Sequence, residues 1–251
     1  MLHVERREAI LNVLKSQEVA SVQELVTATG ASESTIRRDL TELESEHFIK
    51  RLHGGASLSK RKLEEPSIAE KQSIRQTEKR GIAEWAASLV NDKDCLFMDA
   101  GTTTVEMIPF LAQKEVVVVT NGIPHVPLLL EHGIQTYVTG GKAKPGTSAL
   151  TGEKAASSLK EFRFDACFLG INGMDVESGF TTPDPEEAHV KKTALTLSTR
   201  PYILADHSKT AEVAFASVAS LEEANIITSE QIELEQLEML RQRTEVKVVK
   251  Q

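Results

Sequence analysis

The sequence predicts two domains of different fold class: a small α+β domain at the N-terminus, then a larger α/β domain with a largely parallel sheet. Two observations carry this prediction. Short amphipathic helices and a basic, glycine-containing hairpin pattern occupy the first part of the chain, and from Cys95 onward apolar strand patterns alternate with helical ones. A polar segment around Pro66 separates the two patterns. We therefore predict domains at 1–58 and 76–251, joined by a linker at 59–75.

Composition and charge agree with this division. The chain has 251 residues, 40% of them apolar and 26% charged, which is enough to bury a core and unlike a disordered chain. The net charge is −8, but residues 1–62 contain ten Lys or Arg against nine Asp or Glu, which leaves −9 for the rest. Because local sign decides whether a surface approaches a phosphate backbone, nucleic acid remains a possible partner of the head.

Several classes of protein are disfavoured. Cys95 and Cys167 lie far apart in apolar runs, which is typical of buried thiols in a reducing cytoplasm. No apolar run approaches the roughly 20 residues of a membrane span, and the charged N-terminus is unlike a signal peptide. The histidines lack a metal-ligand spacing, and there is no nucleotide-binding P-loop pattern. We expect a soluble cytoplasmic protein with no membrane partner, metal or cofactor.

The head begins with two short helices. Ile10, Val13 and Leu14 share one face of the first, at the spacing i, i+3, i+4. The second opens with S-V-Q-E, in which Ser21 predicts an N-cap and Glu24 completes a capping box. Gly30 then predicts the turn that ends it.

The third helix carries the signal for DNA binding. Ile36, Leu40 and Leu43 form its inward stripe, while hydroxyl and guanidinium groups lie off that stripe and suit the major groove. The segment F-I-K-R-L-H-G-G-A follows and predicts a β-wing with basic side chains. The predicted DNA-binding residues are Ser32, Ser34, Thr35, Arg37 and Arg38 on the helix, and Lys50, Arg51 and His53 on the wing.

These segments resemble a known family. Residues 1–58 are similar to the winged helix-turn-helix of DeoR-type bacterial repressors, through S-E-S-T-I-R-R-D-L at 32–40 and the wing K-R-L-H-G-G-A. The resemblance implies that Ser34, Thr35, Arg37 and Arg38 contact operator DNA, and that Asp39 orients an arginine.

The body opens with a predicted helix at about 77–89, in which Ile82, Trp85, Ala86 and Leu89 have core spacing. Seven strand patterns follow: C-L-F-M, E-V-V-V-V-T, I-Q-T-Y-V-T, D-A-C-F-L-G, P-Y-I-L-A, N-I-I-T-S and E-V-K-V-V. The continuous β-branched run of the second is typical of a strand buried on both faces. Alternation with helices predicts a largely parallel sheet.

Small or polar groups follow five of these strands: D-A-G-T-T-T, N-G, G-G-K, I-N-G and D-H-S-K. Since ligands of open parallel sheets bind outside the carboxyl ends of strands, the endings predict a crevice for a phosphate or sugar hydroxyl. The alternative is that the threonines only cap the following helix. The predicted effector-binding residues are Asp99, Gly101, Thr102, Thr103, Thr104, Asn121, Gly140, Gly141, Lys142, Gly170, Asn172, Asp175, Glu186, Asp206 and Lys209.

Two of these predictions have specific alternatives. Glu186 and Glu187 can serve only the dipole of a helix that starts near Pro185. Lys142 can be an ordinary surface lysine. Pro109 predicts that the helix after the threonines is short or kinked.

The body also resembles the sensor domain of the DeoR family, which is similar to sugar-phosphate isomerases of the ribose-5-phosphate isomerase kind. The matching positions are D-A-G-T-T, V-T-N, G-G, G-I-N-G and D-H-S-K. The resemblance implies a phosphorylated sugar as effector. A-S-E-S-T-I-R-R-D-L and D-A-G-T-T-T-V-E-M look like the branch that represses fructose operons, which implies fructose 1-phosphate.

An enzyme is the competing hypothesis. Aldose–ketose isomerisation needs a carboxylate base, for which Asp99, Asp175, Glu186 and Glu187 are candidates. The isomerases, however, carry an acidic stretch where this chain has G-I-N-G-M-D, and Asn172 cannot act as a base. We therefore favour a non-enzymatic repressor that binds operator DNA and a phosphorylated sugar. Because one reading head seldom suffices for a long site, we expect a homo-oligomer, a dimer or tetramer.

Overall fold

A computed structural model describes residues 2–17, 19–46, 48–52, 54–58, 63 and 65–250. The chain divides into two compact units, Met1–Arg61 and Lys62–Gln251. His53 of the predicted wing, and Lys60, Arg61 and Lys62 of the basic span, lie outside the described residues.

The first unit is a winged helix-turn-helix. Its elements are α1 (His3–Gln17), β1 (Val19–Ser21), α2 (Val22–Thr29), α3 (Glu33–Ser45), β2 (Ile49–Leu52) and β3 (Gly55–Leu58). The wing is the antiparallel β2–β3 hairpin, and β1 adds to the other edge of β3. The sequence patterns predict the helices and the hairpin but not β1, whose three residues are too few to show an alternation.

Local signals and core burial explain the three helices. The predicted capping box at Ser21 and Glu24 is present, and Gly30 ends α2 in the left-handed conformation. The inward stripe of α3 is fully buried, with Leu25 of α2 and Leu14 of α1 in the same cluster. Val13, predicted on the same face as Leu14, packs at the margin of this core.

The second unit begins before the predicted domain boundary. Residues 65–75, predicted as linker, fold as part of this unit and contain α4 (Ile68–Ser73). The helix predicted at 77–89 is α5 (Gln76–Ser88). Trp85 is 36% exposed, so its predicted core position is wrong. Ile82 and Ala86 form the buried stripe, and Trp85 lies on its flank beneath the ammonium of Lys247.

The remaining elements include all seven predicted strands, and helices lie between several of them. They are β4 (Cys95–Met98), α6 (Ile108–Leu111), β5 (Val117–Thr120), α7 (His125–Glu131), β6 (Gln135–Val138), β7 (Lys142–Lys144), β8 (Ala149–Thr151), α8 (Glu153–Leu159), β9 (Phe164–Gly170), β10 (Gly173–Asp175), β11 (Gly179–Thr182), α9 (Pro185–Thr196), β12 (Ser198–Leu204), β13 (Ala216–Ala219), β14 (Asn225–Ser229), α10 (Leu234–Arg241) and β15 (Val246–Val249). Short 3₁₀ turns lie at Val105–Met107, His207–Lys209 and Leu221–Glu223.

Within residues 65–250, seven strands form a parallel sheet in the order β15-β14-β12-β9-β4-β5-β6. These are the seven strands that the sequence patterns predict. The order runs outward in both directions from the adjacent pair β4 and β9. The carboxyl ends of β4 and β9 therefore define the switch point, where open α/β sheets form a crevice.

Helices cover both faces of the sheet. Successive residues of β4 point to opposite sides, so that Phe97 belongs to the core cluster that contains Val190 of α9, while Leu96 and Met98 belong to the cluster that contains Ile82 of α5. Two smaller antiparallel sheets flank the main one: the hairpin β7–β8, and a sheet in the order β10-β11-β13. The sequence patterns do not separate these short strands from loops. Among the described residues, no helix is long and apolar enough to cross a bilayer.

Candidate functional site

The N-cap and first turns of α3 carry four of the predicted DNA-binding side chains, each with a local partner. Ser32 is the N-cap and accepts the Thr35 backbone N–H at 3.3 Å. Its hydroxyl also lies 3.0 Å from that of Ser34 and 2.8 Å from that of Thr35. Arg37 pairs with Glu33 at 2.6 Å, and both side chains are about half exposed. The first turn of α3 is thus ordered by its own hydroxyl groups.

Arg38 is more exposed than Arg37, with 82% of its side chain accessible. Its Nε lies 3.3 Å from a carboxylate oxygen of Glu42, one turn along the helix. Exposed pairs of this kind contribute only about 0.3–0.5 kcal/mol. Both guanidinium groups of α3 can therefore exchange a helix carboxylate for a DNA phosphate or base edge at little expense.

Asp39 lies on the other side of α3 and is 2% exposed. Both of its carboxylate oxygens accept hydrogen bonds from Arg6 of α1, at 2.5 and 3.0 Å. This fork-to-fork pair fixes α3 against α1. The arginine that Asp39 orients is therefore Arg6 of the helical core.

The wing places its two described basic residues differently. Lys50 is exposed. The guanidinium of Arg51 donates to the Thr41 hydroxyl at 3.1 Å, and its backbone N–H donates to Glu44 at 2.9 Å. Arg51 consequently links the wing to α3.

The centre of the second unit is the carboxylate of Asp99, directly after β4 and 1% exposed. It accepts the backbone N–H of Gly101 at 3.0 Å and that of Gly170, at the end of β9, at 2.9 Å. It also pairs with the ammonium of Lys191. Asp99 therefore ties together the two strand ends at the switch point.

Lys191 is the residue that the sequence analysis missed. It lies in α9, is 8% exposed, and donates to the Gly170 carbonyl oxygen at 2.9 Å in addition to its pair with Asp99. Burial disfavours its charge, but nearby carboxylates, with Asp99 the largest contributor, together outweigh burial and raise the pKa of Lys191. In the sequence, lysines 191 and 192 are adjacent and follow an apolar residue. This pattern does not indicate which of the two side chains is buried.

The glycine and threonine loop after Asp99 is held by internal hydrogen bonds. The Thr104 hydroxyl lies 2.8 Å from the Asp99 carbonyl oxygen and 2.9 Å from that of Gly101. A Cβ on Gly101 would approach an Asp99 carboxylate oxygen to 2.8 Å and the Thr104 hydroxyl to 2.9 Å, so only glycine fits. Thr104 and Thr103 are buried and Thr102 is half-buried. Thr102 is thus the threonine most accessible to a ligand.

The helix expected after these threonines is short. A 3₁₀ turn at Val105–Met107 leads into the four residues of α6. Pro109 occupies the first turn of α6, where a missing backbone N–H costs no hydrogen bond. This confirms the prediction from Pro109 and weakens the helix-dipole contribution to the loop.

Asn121 directly follows β5 and contacts the same loop. Its side-chain oxygen accepts the Ala100 N–H at 3.0 Å, and its side-chain nitrogen donates to the Leu150 carbonyl at 3.0 Å. Asn121 therefore joins the loop after β4 to the hairpin β7–β8. Its side chain is engaged within the protein at both ends.

The hairpin β7–β8 brings a second group of predicted residues together. Lys142 lies opposite Thr151 in the hairpin, and both approach Glu186 of α9, at 3.7 and 3.2 Å. Gly140 and Gly141 precede the hairpin and are exposed. Glu186 is two residues past the N-cap Asp184, but its carboxylate reaches the hairpin, so it does more than serve the helix dipole.

A third group surrounds Asp206, after β12. Asp206 is 2% exposed and lies 3.6 Å from the ammonium of Lys209 and 3.8 Å from Nε of Arg75. Burial by itself raises the pKa of Asp206, but Lys209, the Ser208 hydroxyl and Arg75 lower it to about 2. The Asp206 carboxylate is thus ionised, and nearby cationic side chains balance its negative charge.

Two predicted effector residues have structural roles in β10–β11. Asp175 accepts the backbone N–H of Ser178 at 2.8 Å and that of Glu177 at 3.1 Å, which caps the hairpin turn. The side-chain oxygen of Asn172 accepts the Thr182 hydroxyl at 2.9 Å. No contact in the described part of the chain joins Asp175 to Asp99.

Taken together, these residues define a two-unit protein, with a helix-turn-helix face on one unit and a group of hydrogen-bonded polar residues at the switch point of the other. The DeoR-like helix-turn-helix domain model matches residues 6–62, and the DeoR C terminal sensor domain model matches residues 74–231. The chain therefore belongs to the DeoR family of transcriptional regulators.

Individual relatives agree with this assignment. The chain is 45% identical over its full length to the HTH-type transcriptional regulator FruR of Bacillus subtilis, which is also covered in full. It is 32% identical to the lactose phosphotransferase system repressor of Staphylococcus aureus, over 96% of this chain and 98% of that one. A solved ribose 5-phosphate isomerase A from Methanocaldococcus jannaschii is similar at 16% identity, with a TM-score of 0.41 over 54% of this chain and 55% of that one.

Proposed function

We propose that the protein is a cytoplasmic transcriptional repressor of a sugar utilisation operon, and that a phosphorylated sugar bound by the second unit controls its affinity for operator DNA. The predicted sugar is fructose, with fructose 1-phosphate as the effector. The names of the relatives support this choice: one is called FruR and another is a repressor of a sugar phosphotransferase system.

The observation that carries the proposal is that polar groups follow several strands at the carboxyl edge of the sheet. Asp99 and Gly170 meet at the switch point. Lys209 lies shortly after β12 of the same sheet, and Lys142 begins the hairpin β7–β8 shortly after β6. Two lysines suit a phosphate, while hydroxyl and amide groups suit sugar hydroxyls. Because four donors, the Thr104 hydroxyl among them, already hold the Asp99 carboxylate, we assign Asp99 to organising the loop.

The proposed DNA interface is the face of α3 together with the wing. Ser32, Ser34, Thr35, Arg37 and Arg38 supply hydroxyl and guanidinium groups, and Lys50 and Arg51 supply phosphate contacts. A single such face reads a short half-site. We therefore propose a homo-oligomer, a dimer or tetramer, that engages repeated half-sites.

The test is a titration of operator binding. The full-length protein is footprinted on the DNA that flanks its own gene, and the affinity for the protected site is then measured by fluorescence anisotropy. Fructose 1-phosphate, fructose 6-phosphate, free fructose and inorganic phosphate are added separately. The proposal predicts that a phosphorylated sugar changes the operator Kd by at least about fivefold, whereas free fructose does not. No protected site, or no response to any phosphorylated sugar, contradicts it.

The isomerase alternative is less favoured. The relatives are named as regulators, and Asn172, hydrogen-bonded to Thr182, stands where the alternative requires an acidic residue. An isomerase assay on pentose and hexose phosphates distinguishes the two. Turnover at ordinary enzymatic rates, above about 1 s⁻¹, would favour the enzyme.

A further inference from the structure

Residues 65–75 are the segment through which the chain enters the second unit, and we name them the strap. The strap contains α4 and ends at Arg75, the residue before α5. The second unit begins at Lys62, so every covalent path from the DNA-reading unit to the parallel sheet runs through the strap. The contacts that attach the strap to the second unit therefore determine how this connection changes when a ligand binds.

The first attachment is at Glu65, whose side chain is 10% exposed. One carboxylate oxygen accepts from Lys144 of β7 at 2.6 Å, and the other accepts from Lys71 of α4 at 2.7 Å. Next to it, the backbone N–H of Ile68 donates to the Gly146 carbonyl at 2.9 Å. The start of the strap is thus fastened to the hairpin β7–β8 by an ion pair and a backbone hydrogen bond.

Lys144 links this attachment to α9. Its ammonium also lies 2.8 Å from Asp184 and 3.1 Å from Glu187, so three carboxylates share it. Burial opposes the charge on Lys144, but its hydrogen bonds to Asp184 and Glu65 raise its pKa. Lys144 therefore stays charged and is the common partner of the strap and of the first turn of α9.

The second attachment is at Arg75. Its backbone is left-handed, with φ 54° and ψ 40°, a conformation that non-glycine residues rarely adopt. Its Nε lies 3.8 Å from Asp206 and 3.8 Å from Glu78. The buried ammonium of Lys79 donates to the carbonyl oxygen of Lys71, within the strap. The end of the strap is thus held by the Asp206 group.

Both attachments adjoin proposed effector residues. Glu187 follows Glu186, which contacts the hairpin, and α9 also carries Lys191, the partner of Asp99. At the other end of the strap, Asp206 lies 3.6 Å from Lys209. The strap is therefore fastened to both of the charged groups that flank the central Asp99.

The charges around Lys144 indicate whether a bound effector tightens or loosens the attachment of the strap. A sugar phosphate brings about two negative charges at neutral pH. Added near Lys142 and the start of α9, this charge repels the three carboxylates that share Lys144, Glu65 among them, without contacting Lys144 itself. The attachment that depends most on that ammonium is the one at Glu65.

We propose that the strap reports effector binding to the DNA-reading unit, and that the Glu65–Lys144 ion pair is the fastening that a bound sugar phosphate loosens. This proposal rests on the proposed function, since it needs a phosphorylated effector. Glu65 and Lys144 are not themselves proposed to contact the effector or DNA.

Hydrogen–deuterium exchange on the unmodified full-length protein tests the loosening directly. Peptides that cover residues 63–75 are followed with and without saturating fructose 1-phosphate, with inorganic phosphate as a control. The proposal predicts faster exchange in these peptides when the sugar phosphate is bound, including at the Ile68 N–H. Unchanged or slower exchange in the strap, with binding of the sugar phosphate shown by calorimetry, overturns the proposal.

The variant Glu65→Gln tests the consequence for DNA. It keeps the shape of the side chain and removes the charge that holds Lys144. Without effector, its operator Kd should move toward that of the effector-bound wild type, and its remaining response to fructose 1-phosphate should fall below about threefold. Calorimetry should show that it still binds the sugar phosphate. The matched control is Glu222→Gln, which removes a carboxylate that pairs with Arg243 at 2.5 Å on the surface.

The outcomes separate the two proposals. If the wild type responds to the sugar phosphate and Glu65→Gln keeps the full response, the strap proposal is wrong and the proposed function stands. If the wild type binds no phosphorylated sugar, the proposed function fails and the strap proposal fails with it. A Glu222→Gln response as weak as that of Glu65→Gln also counts against a specific role for the strap.

Discussion

The α3 face and the centre of the sheet edge both pair a cation with a carboxylate, in opposite ways. On α3, the partners of Arg37 and Arg38 lie one turn away on the same helix and are exposed. At the sheet edge, Lys191 pairs with Asp99, 92 residues away, and both are buried. An exposed pair contributes a few tenths of a kcal/mol, whereas breaking a buried one costs about 3–5 kcal/mol. The first can exchange its partner for DNA, and the second fixes the architecture.

The change with the largest expected effect is Lys191→Met. It leaves the buried Asp99 carboxylate without its ammonium partner, so the free energy of unfolding of the second unit should fall by about 3–5 kcal/mol. Urea denaturation followed by the fluorescence of Trp85, the single tryptophan, measures this unit specifically. Lys192→Met, at the exposed neighbouring position, is the matched control and should change stability by less than about 0.5 kcal/mol. Equal effects of the two variants would contradict the contrast.

On the DNA side, Arg37→Ala and Arg38→Ala should each weaken operator binding by about 1–3 kcal/mol if the guanidinium contacts a base edge. Stability should hardly change, because both pairs are exposed. Anisotropy titrations at one fixed salt concentration measure the effect. Arg163→Ala, an equal change of charge at an exposed position in the second unit, is the control. Binding like the wild type by both α3 variants would remove α3 from the interface.

Acid should destabilise the second unit through Asp206. Its pKa is lowered from 3.8 to about 2 in the folded chain, so the unfolded chain takes up the proton at higher pH. The resulting stability, about 2 kcal/mol, is present above about pH 4 and is lost as the pH falls through about 2. Urea midpoints between pH 5 and 2.5 should converge for the wild type and Asp206→Asn. Asp92→Asn, at an exposed site, controls for the loss of one carboxyl group.

The smallest effect is expected for Glu33→Gln. It releases Arg37 from its helix partner and removes a negative charge near the DNA, so operator affinity should rise by no more than about 0.5 kcal/mol. The same change removes a favourable interaction with the helix N-terminus, and the first unit should lose a similar amount of stability. Parallel anisotropy and thermal melts measure both. A large loss of operator affinity would mean that Glu33 itself has a role at the DNA.

Most of the architecture could be predicted because burial leaves a regular pattern. The segments that form β4, β5, β9, β12 and β14 are apolar over several residues. The capping residues of α2 and α3 lie next to each helix in the sequence, so they can be recognised locally. The strands β1 and β7 were missed because three residues give no period. Trp85 was misplaced because core spacing does not distinguish the centre of a helix stripe from its flank.

The candidate site was predictable only in part. The patterns at strand ends indicated Asp99 and Gly170. In the structure the Gly170 backbone N–H donates to the Asp99 carboxylate at 2.9 Å. These patterns could not indicate Lys191, since a lysine in a helix is ordinarily exposed to solvent. Asp175 illustrates the opposite limit. An aspartate near the end of a strand suggests a ligand-binding role, but here its carboxylate accepts hydrogen bonds from backbone N–H groups of the following turn.

The division of α3 into two faces has a consequence for how such a protein can diverge. Ile36, Leu40 and Leu43 are fully buried, and Asp39 is locked to Arg6, whereas the side chains between them project away from the core. Substitutions at the projecting positions leave the helix and its docking intact. A duplicated copy could therefore acquire a new target sequence one residue at a time, without passing through an unfolded intermediate and without altering what it senses.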